Sequence, residues 1–205
     1  MKADDKNMEF QILEAAEKLF LEQGFDKTST GQIAKLAGCN QALVHYYYRT
    51  KDNLFDKIFE EKMRLMVDNI VAVDSTETTL EEKITKMIGV HFDFLKQNSK
   101  IPSFILTEIS SNPNRLQSLI EKLQQYPKST LLQLDANLNK EVEKGSIRPI
   151  SGFDLLITIV SLNLTPFLIR PIVQKAFSLS DEDMDLVLEH RKKEVIDTIL
   201  SRLRK

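Results

Sequence analysis

Tryptophan is absent from this 205-residue chain, and only one cysteine, six glycines and six prolines occur. The single cysteine, Cys39, excludes an internal disulfide and any cysteine-based zinc cluster. It also fits a reducing, cytoplasmic setting. With little Gly or Pro to punctuate it, the chain has room for long helices, and Leu, Ile, Lys and Glu favour them. The three histidines, His45, His91 and His190, do not have metal-ligand spacing. No Gly-rich phosphate loop, nucleophile elbow or Cys-His pair is present. The residues therefore argue against an enzyme, and no cofactor or metal is expected. A helical scaffold protein would show a repeat period, and none is seen. The N-terminal stretch MKADDKNMEF lacks the apolar core of a signal peptide. The most apolar run, Phe153 to Ile169, contains Asp154, Asn163 and Pro166 and is short for a membrane span, so it reads as a buried helix.

What is present is an ordinary soluble balance, with hydrophobic residues at 42% and charged residues at 28%. The net charge is −2, but it is unevenly placed. From Lys27 to Lys51 there is no acidic residue, whereas Lys27, Lys35, Arg49 and Lys51 are basic. The helix before this segment is acidic (Glu9, Glu14, Glu17, Glu22). A local cationic segment in a slightly acidic protein is where an anionic partner binds, unless it is simply a solvated face.

Hydrophobic spacing predicts an all-α chain. A first helix spans about Asn7 to Gln23 and stops at Gly24, with residues 1 to 7 as a mobile tail. Short helices follow at Thr30–Ala37 and Gln41–Arg49, separated by Gly38-Cys39-Asn40. Ala34 and Ala37 supply small volume, Gly38 the turn, and Asn40 an N-cap. Projection at 100° per residue puts Val44 and Tyr48 inward, with Ile33 and Leu36 as expected partners. Ala42, His45, Tyr46 and Arg49 face outward. A short cationic helix with an aromatic, polar outer face suits a DNA major groove.

The stretch from Thr28 to Leu54 resembles the TetR/AcrR signature: Thr28-Ser29-Thr30, Ile33-Ala34, Ala37-Gly38-Cys39-Asn40, Leu43, His45-Tyr46-Tyr47-Tyr48 and Thr50-Lys51-Asp52, then Leu54. The preceding helix fits with Ile12-Leu13, Ala15-Ala16, Leu19-Phe20 and Gly24-Phe25. The similarity covers about residues 10 to 59 without gaps. His45, Asn40 and Cys39 depart from the usual Tyr, Ser and Val. The resemblance implies an all-α protein with a three-helix helix-turn-helix DNA-binding domain, residues 1–52, and a helical effector-binding and dimerisation domain, residues 53–205. It implies a sequence-specific transcriptional regulator, a ligand-released repressor that binds a palindromic operator as a homodimer. By position, Thr30 and Tyr47 sit where the family contacts phosphate, and Lys51 adds charge at a helix N-terminus. Gln41, Ala42, Leu43, His45 and Tyr46 are the candidates for base edges. Cys39 is read as a packed thiol rather than a redox switch.

Beyond residue 59 the resemblance is one of helical layout. Pro102, Pro113 and Pro127 divide the middle of the chain, and a helix over about Lys128–Lys144 precedes a linker at Ser146–Ser151. Lys144-Gly145-Ser146-Ile147-Arg148-Pro149 resembles the family's entry to its two interface helices. The final helix, Asp181 to about Arg204, carries Met184, Leu188, Val195, Ile199 and Leu203 on one side. That stripe is expected at a subunit interface, against the alternative of an intrachain core. Candidate effector-pocket residues are Met63, Met66, Met87, His91, Phe92, Phe94, Phe104, Thr107, Tyr126 and Asn163. The effector is expected to be apolar or aromatic. Asn163 interrupts an apolar helix, either to meet a ligand or to set dimer register by hydrogen bonding.

Overall fold

The computed structural model describes the backbone of residues 3–71, 79–125 and 128–205. Among these residues there are ten α-helices, and the only β pairing is an isolated antiparallel bridge between Ile147 and Arg204. The helices are α1 (Ala3–Lys27), α2 (Thr30–Leu36), α3 (Gln41–Tyr48), α4 (Lys51–Val71), α5 (Leu80–Gln97), α6 (Ile101–Ser111), α7 (Pro113–Gln125), α8 (Lys128–Glu143), α9 (Gly152–Phe177) and α10 (Asp181–Leu203). The all-α expectation holds.

Helix starts follow local chemistry. Ser29, Thr79 and Ser180 each form a reciprocal capping box, with Gln32, Glu82 and Asp183 respectively. Each box satisfies two backbone donors that a helix start would otherwise leave open. Acidic residues in the first turn of α10 and Arg202 in its last turn complement the helix dipole.

Three expectations change. The first helix begins at Ala3 rather than near Asn7; at Gly24 it breaks as expected, with non-helical φ 80 and ψ 172, and a short continuation reaches Lys27. α9 does not end at Ile169: it runs through Pro166 and Pro171 to Phe177. A proline removes one helical hydrogen bond each time, but Pro166 and Phe167 are buried, so packing outweighs that local loss. The stripe Met184, Leu188, Val195, Ile199 and Leu203 is buried within its own chain, so it is intrachain core.

The chain forms two compact units, residues 1–65 with 104–116, and residues 66–103 with 117–205. This division differs from a boundary at residues 52 and 53: much of α4 and α6 groups with the first three helices. The first unit has an aromatic core in which Phe55 meets Phe20, Phe25, Phe59 and Phe104 at ring-centroid distances of 5.0–5.9 Å. The second unit has two apolar clusters. One gathers Ile84, Met87, Ile88, Leu138, Leu155, Ile159, Val195 and Ile199. The other gathers Phe92, Leu95, Phe167, Met184 and Leu188.

Candidate nucleic-acid interface

The turn between α2 and α3 is built by its backbone. Cys39 N–H donates to Ala34 O at 2.9 Å and Gly38 N–H to Lys35 O at 3.4 Å. This pair is the Schellman closure, which requires a left-handed residue after the cap. Gly38 supplies it at φ +69. Asn40 then starts α3 by accepting from Leu43 N–H at 3.0 Å. The Cys39 thiol is partly buried, and burial raises its pKa, which keeps it in the less reactive thiol form.

Burial sorts α3 into two faces. Val44 and Tyr48 are buried, as are Ile33 and Ala34 of α2. Tyr48 ties α3 to α1 by donating its hydroxyl to Glu9 O at 3.1 Å. Burial, with the nearby Glu9 carboxylate, pushes the phenol pKa up to about 12, so it remains a donor. The expected inward partner Leu36 is instead 47% exposed. It closes α2 beside the turn, where Ile33 and Ala34 already fill the contact.

The outward face carries Gln41, Ala42, His45 and Tyr46, with Tyr46 77% exposed. Leu43 and Tyr47 are half-buried at its edge. Tyr46 and Tyr47 meet edge to face at 5.1 Å. These residues are linked: Gln41 Nε2 donates to Thr30 Oγ1 at 2.7 Å and lies 3.5 Å from His45 Nε2. His45 Nδ1 lies 3.0 Å from Arg49 O. A carbonyl only accepts, so the His45 ring proton sits on Nδ1 and its Nε2 can accept from Gln41. Thr30, assigned by position to phosphate, and Gln41, assigned to bases, are thus joined before any partner arrives. Lys35 and Arg49 are exposed on the same acid-free segment.

Lys51 is placed differently from a freely reaching cation. Its Nζ donates to Phe25 O and Thr28 O, both at 3.0 Å, and lies 4.0 Å from the Phe25 ring centroid. Two of its three N–H donors therefore hold the end of α1. Sequence reasoning missed its neighbour Arg115 altogether. Arg115 is 5% exposed, with its guanidinium carbon 3.5 Å from the Phe55 centroid and 4.8 Å from that of Phe25. Its Nη1 is 2.8 Å from Asp56 Oδ1. Its Nε is 3.3 Å from Glu108 Oε2, without hydrogen-bond alignment. Burial raises the Glu108 pKa, and Arg115 opposes that shift. No local sequence signal marks this cluster, since its members lie up to 90 residues apart.

The candidate effector residues separate. Met87, His91, Phe92 and Asn163 are buried in the second unit, and Phe94 packs at the edge of its second cluster. Met63 and Phe104 are buried in the first unit, where Phe104 lies 6.2 Å from Phe59, and Thr107 is exposed. Tyr126 and the Met66 side chain fall outside the described residues. Asn163 bonds within its own chain, donating to Ile88 O at 3.0 Å with His91 Nδ1 at 3.1 Å.

Residues 12–58 match the family model "Bacterial regulatory proteins, tetR family", and residues 81–199 match "Tetracyclin repressor-like, C-terminal domain". The fatty acid metabolism regulator protein of Bacillus subtilis is 26% identical over 145 residues, which is 71% of this chain and 72% of that protein. The transcriptional regulator QacR of Staphylococcus aureus is 38% identical over 52 residues, 25% of this chain and 28% of its own length. In fold, a TetR family transcription regulator from Marinobacter aquaeolei matches with a TM-score of 0.63 at 19% identity, covering 100% of both chains. With its reading head, its helical second unit and matches to both halves, this chain belongs to the TetR family of DNA-binding transcriptional regulators and is not an enzyme.

Proposed function

We propose that this protein is a cytoplasmic, ligand-released repressor that binds a palindromic operator as a homodimer. Residues 1–52 read DNA, and residues 53–205 bind effector and dimerise. The observation that carries the reading is the two-faced α3. Val44 and Tyr48 anchor it, while Gln41, Ala42, His45 and Tyr46 stand exposed in a segment without acidic residues. In this reading Gln41, Ala42, Leu43, His45 and Tyr46 meet base edges. Thr30, Tyr47 and the remaining N–H of Lys51 meet phosphates, which position the protein without reading sequence.

The homodimer reading is supported by apolar surface on the last two helices. Phe153, Ile157, Ile172 and Phe177 of α9 and Leu186 and Val187 of α10 are exposed in the single chain. α9 has an 18-residue window of mean hydropathy 1.7 and is long and apolar enough to cross a membrane, yet only 33% of that window is buried. Exposed apolar area of this kind marks a partner surface. A twofold partner would let two α3 helices enter half-sites about 34–36 Å apart or a multiple of that. An effector releases DNA only if it prefers the non-binding arrangement of that dimer. The apolar interior of the second unit, and the fatty acid metabolism role of the Bacillus subtilis relative, support an apolar effector.

The test is selection of bound sites from a random DNA pool, then a salt series on the selected site. A palindromic consensus and a steep linear fall of log affinity with log salt are expected. His45→Ala and Gln41→Ala are expected to shift the selected sequence, each good base contact being worth about 1–3 kcal/mol. A salt-insensitive interaction, or an unchanged consensus in both variants, refutes the reading.

A further inference from the structure

Arg49, which closes α3, holds a strained backbone. At φ 61 and ψ −54, with Thr50 N–H donating to Tyr48 O at 2.7 Å, it forms a γ-turn of the rare, strained kind. Such strain persists only where the surroundings over-determine it, and it collects at functional sites. In this turn Arg49 O faces His45 Nδ1 at 3.0 Å. The carbonyl can only accept, so the ring proton is on Nδ1 and a lone pair is left on Nε2.

That lone pair sets the polarity of Gln41. Gln41 Nε2 lies 2.7 Å from Thr30 Oγ1 and 3.5 Å from His45 Nε2. A hydroxyl can accept or donate, so Thr30 alone would tolerate either end of the amide. His45 would not, because a reversed amide would set Gln41 Oε1 against a second lone pair. The amide hydrogens are therefore directed at Thr30 and His45. Gln41 is exposed, and its Oε1 has no hydrogen-bond partner among the described residues. The residue of α2 beside this oxygen is Gly31, which has no side chain to cover it; a Cβ added there would stand 4.0 Å away. Thr30, accepting from Gln41, keeps its own hydroxyl hydrogen for a phosphate.

We infer that Thr30 and His45 are positioning residues that make Gln41 an acceptor-only reader, selecting an amino group in the major groove: adenine N6 or cytosine N4 on the strand it faces. Guanine presents O6 and N7 there and thymine O4, acceptors that would meet Oε1 like against like. A freely turning glutamine would instead grip adenine with both ends of its amide, at N6 and N7, and would not admit cytosine. Holding Gln41 gives up the bond to N7, but a side chain ordered in advance loses less rotamer freedom on binding. The inference rests on the DNA-reading assignment of α3 above and narrows it to one hydrogen-bond polarity.

The test uses the full chain and duplexes taken from the site selection. One position in each half-site is expected to accept adenine or cytosine, to exclude guanine and thymine, and to lose that preference in Gln41→Ala. Replacing the base there by its des-amino analogue, unsubstituted purine for adenine or 2-pyrimidinone for cytosine, is expected to weaken parent binding roughly tenfold. The same replacement is expected to leave Gln41→Ala binding unchanged. With adenine at the position, 7-deazaadenine keeps N6 and lacks N7, and parent affinity is expected to hold. Thr30→Val is expected to weaken binding to every duplex and also to relax discrimination at this position, and Thr30→Ser to restore the discrimination. A threonine that only held phosphate would lower all affinities evenly and leave their ratio untouched. Guanine or thymine at the Gln41-dependent position, no position that depends on Gln41, an equal loss with 7-deazaadenine, or a ratio unmoved by Thr30→Val overturns the assignment while leaving a DNA-binding regulator in place. A pool that yields no consensus brings down that reading and this one together.

Discussion

Replacing Arg115 by Met tests whether the cluster around Phe25 and Phe55 holds the first unit together. Met keeps much of the volume and loses the charge. Three losses follow. The contact to Asp56, whose side chain is 59% exposed, counts for no more than about 1 kcal/mol, because solvent replaces it. The stacking on Phe55 and Phe25 at 3.5 and 4.8 Å counts for about 1–2 kcal/mol in a desolvated setting. The largest effect is at Glu108, whose side chain is only 10% exposed and which would lose its countercharge; breaking a buried pair from one side costs roughly 3–5 kcal/mol. Because Glu108 escapes about half of that cost by protonating, and the Met side chain keeps part of the ring contact, a total of about 3 kcal/mol is expected. With a urea slope of about 2 kcal/mol/M, the unfolding midpoint falls by roughly 1.5 M. The pH dependence has a definite sign. An acid whose folded pKa is raised binds its proton more tightly when folded, so its contribution to stability fades as pH rises through that pKa. Without Arg115 the shift grows, so the deficit is larger at pH 7 than at pH 5. Urea titrations of the parent, Arg115→Met, Glu108→Gln and the double variant form the assay, and the double variant should recover more than half of the loss. An unchanged midpoint in Arg115→Met, or a double variant no better than the single one, refutes the reasoning.

His91 has the opposite sign. Burial depresses its pKa from 6.5 to about 4, so the unfolded chain binds the extra proton first, and stability drains away as pH falls from about 6.5 to 4. The full loss is about 3 kcal/mol. His91→Phe should flatten that part of the stability curve, as read by thermal unfolding between pH 7 and 4.5, and a parallel curve would contradict the burial argument. Ile157→Asp with Ile172→Asp on α9 should give a monomer by sedimentation and abolish tight operator binding with little change in helicity; an unaltered oligomeric state would remove α9 from the interface. Gly38→Ala should cost about 1 kcal/mol, because φ +69 strains any residue with a Cβ although nothing lies within 4 Å of the added atom. A neutral effect on the denaturation midpoint would show that the turn relaxes.

Much of the reading head is written in local sequence. Gly38, Asn40 and the spacing of Ile33, Val44 and Tyr48 specify a tight turn and a two-faced helix, because caps, left-handed turns and helical periodicity act over a few residues. The acid-free segment from Lys27 to Lys51 is likewise legible in charge order, which by itself leaves an anion-binding surface and a solvated face as alternatives. Tertiary structure decided matters that depend on distant partners. It carried α9 past two prolines, turned the α10 stripe inward, and committed Lys51 to the carbonyls of Phe25 and Thr28. It also brought Arg115 against two aromatic rings, and set Asn163 against His91 across a separation of 72 residues. Periodicity says which side of a helix is apolar, but not what covers it. That choice is made by packing and desolvation among residues far apart in the chain, where no short-range pattern records it.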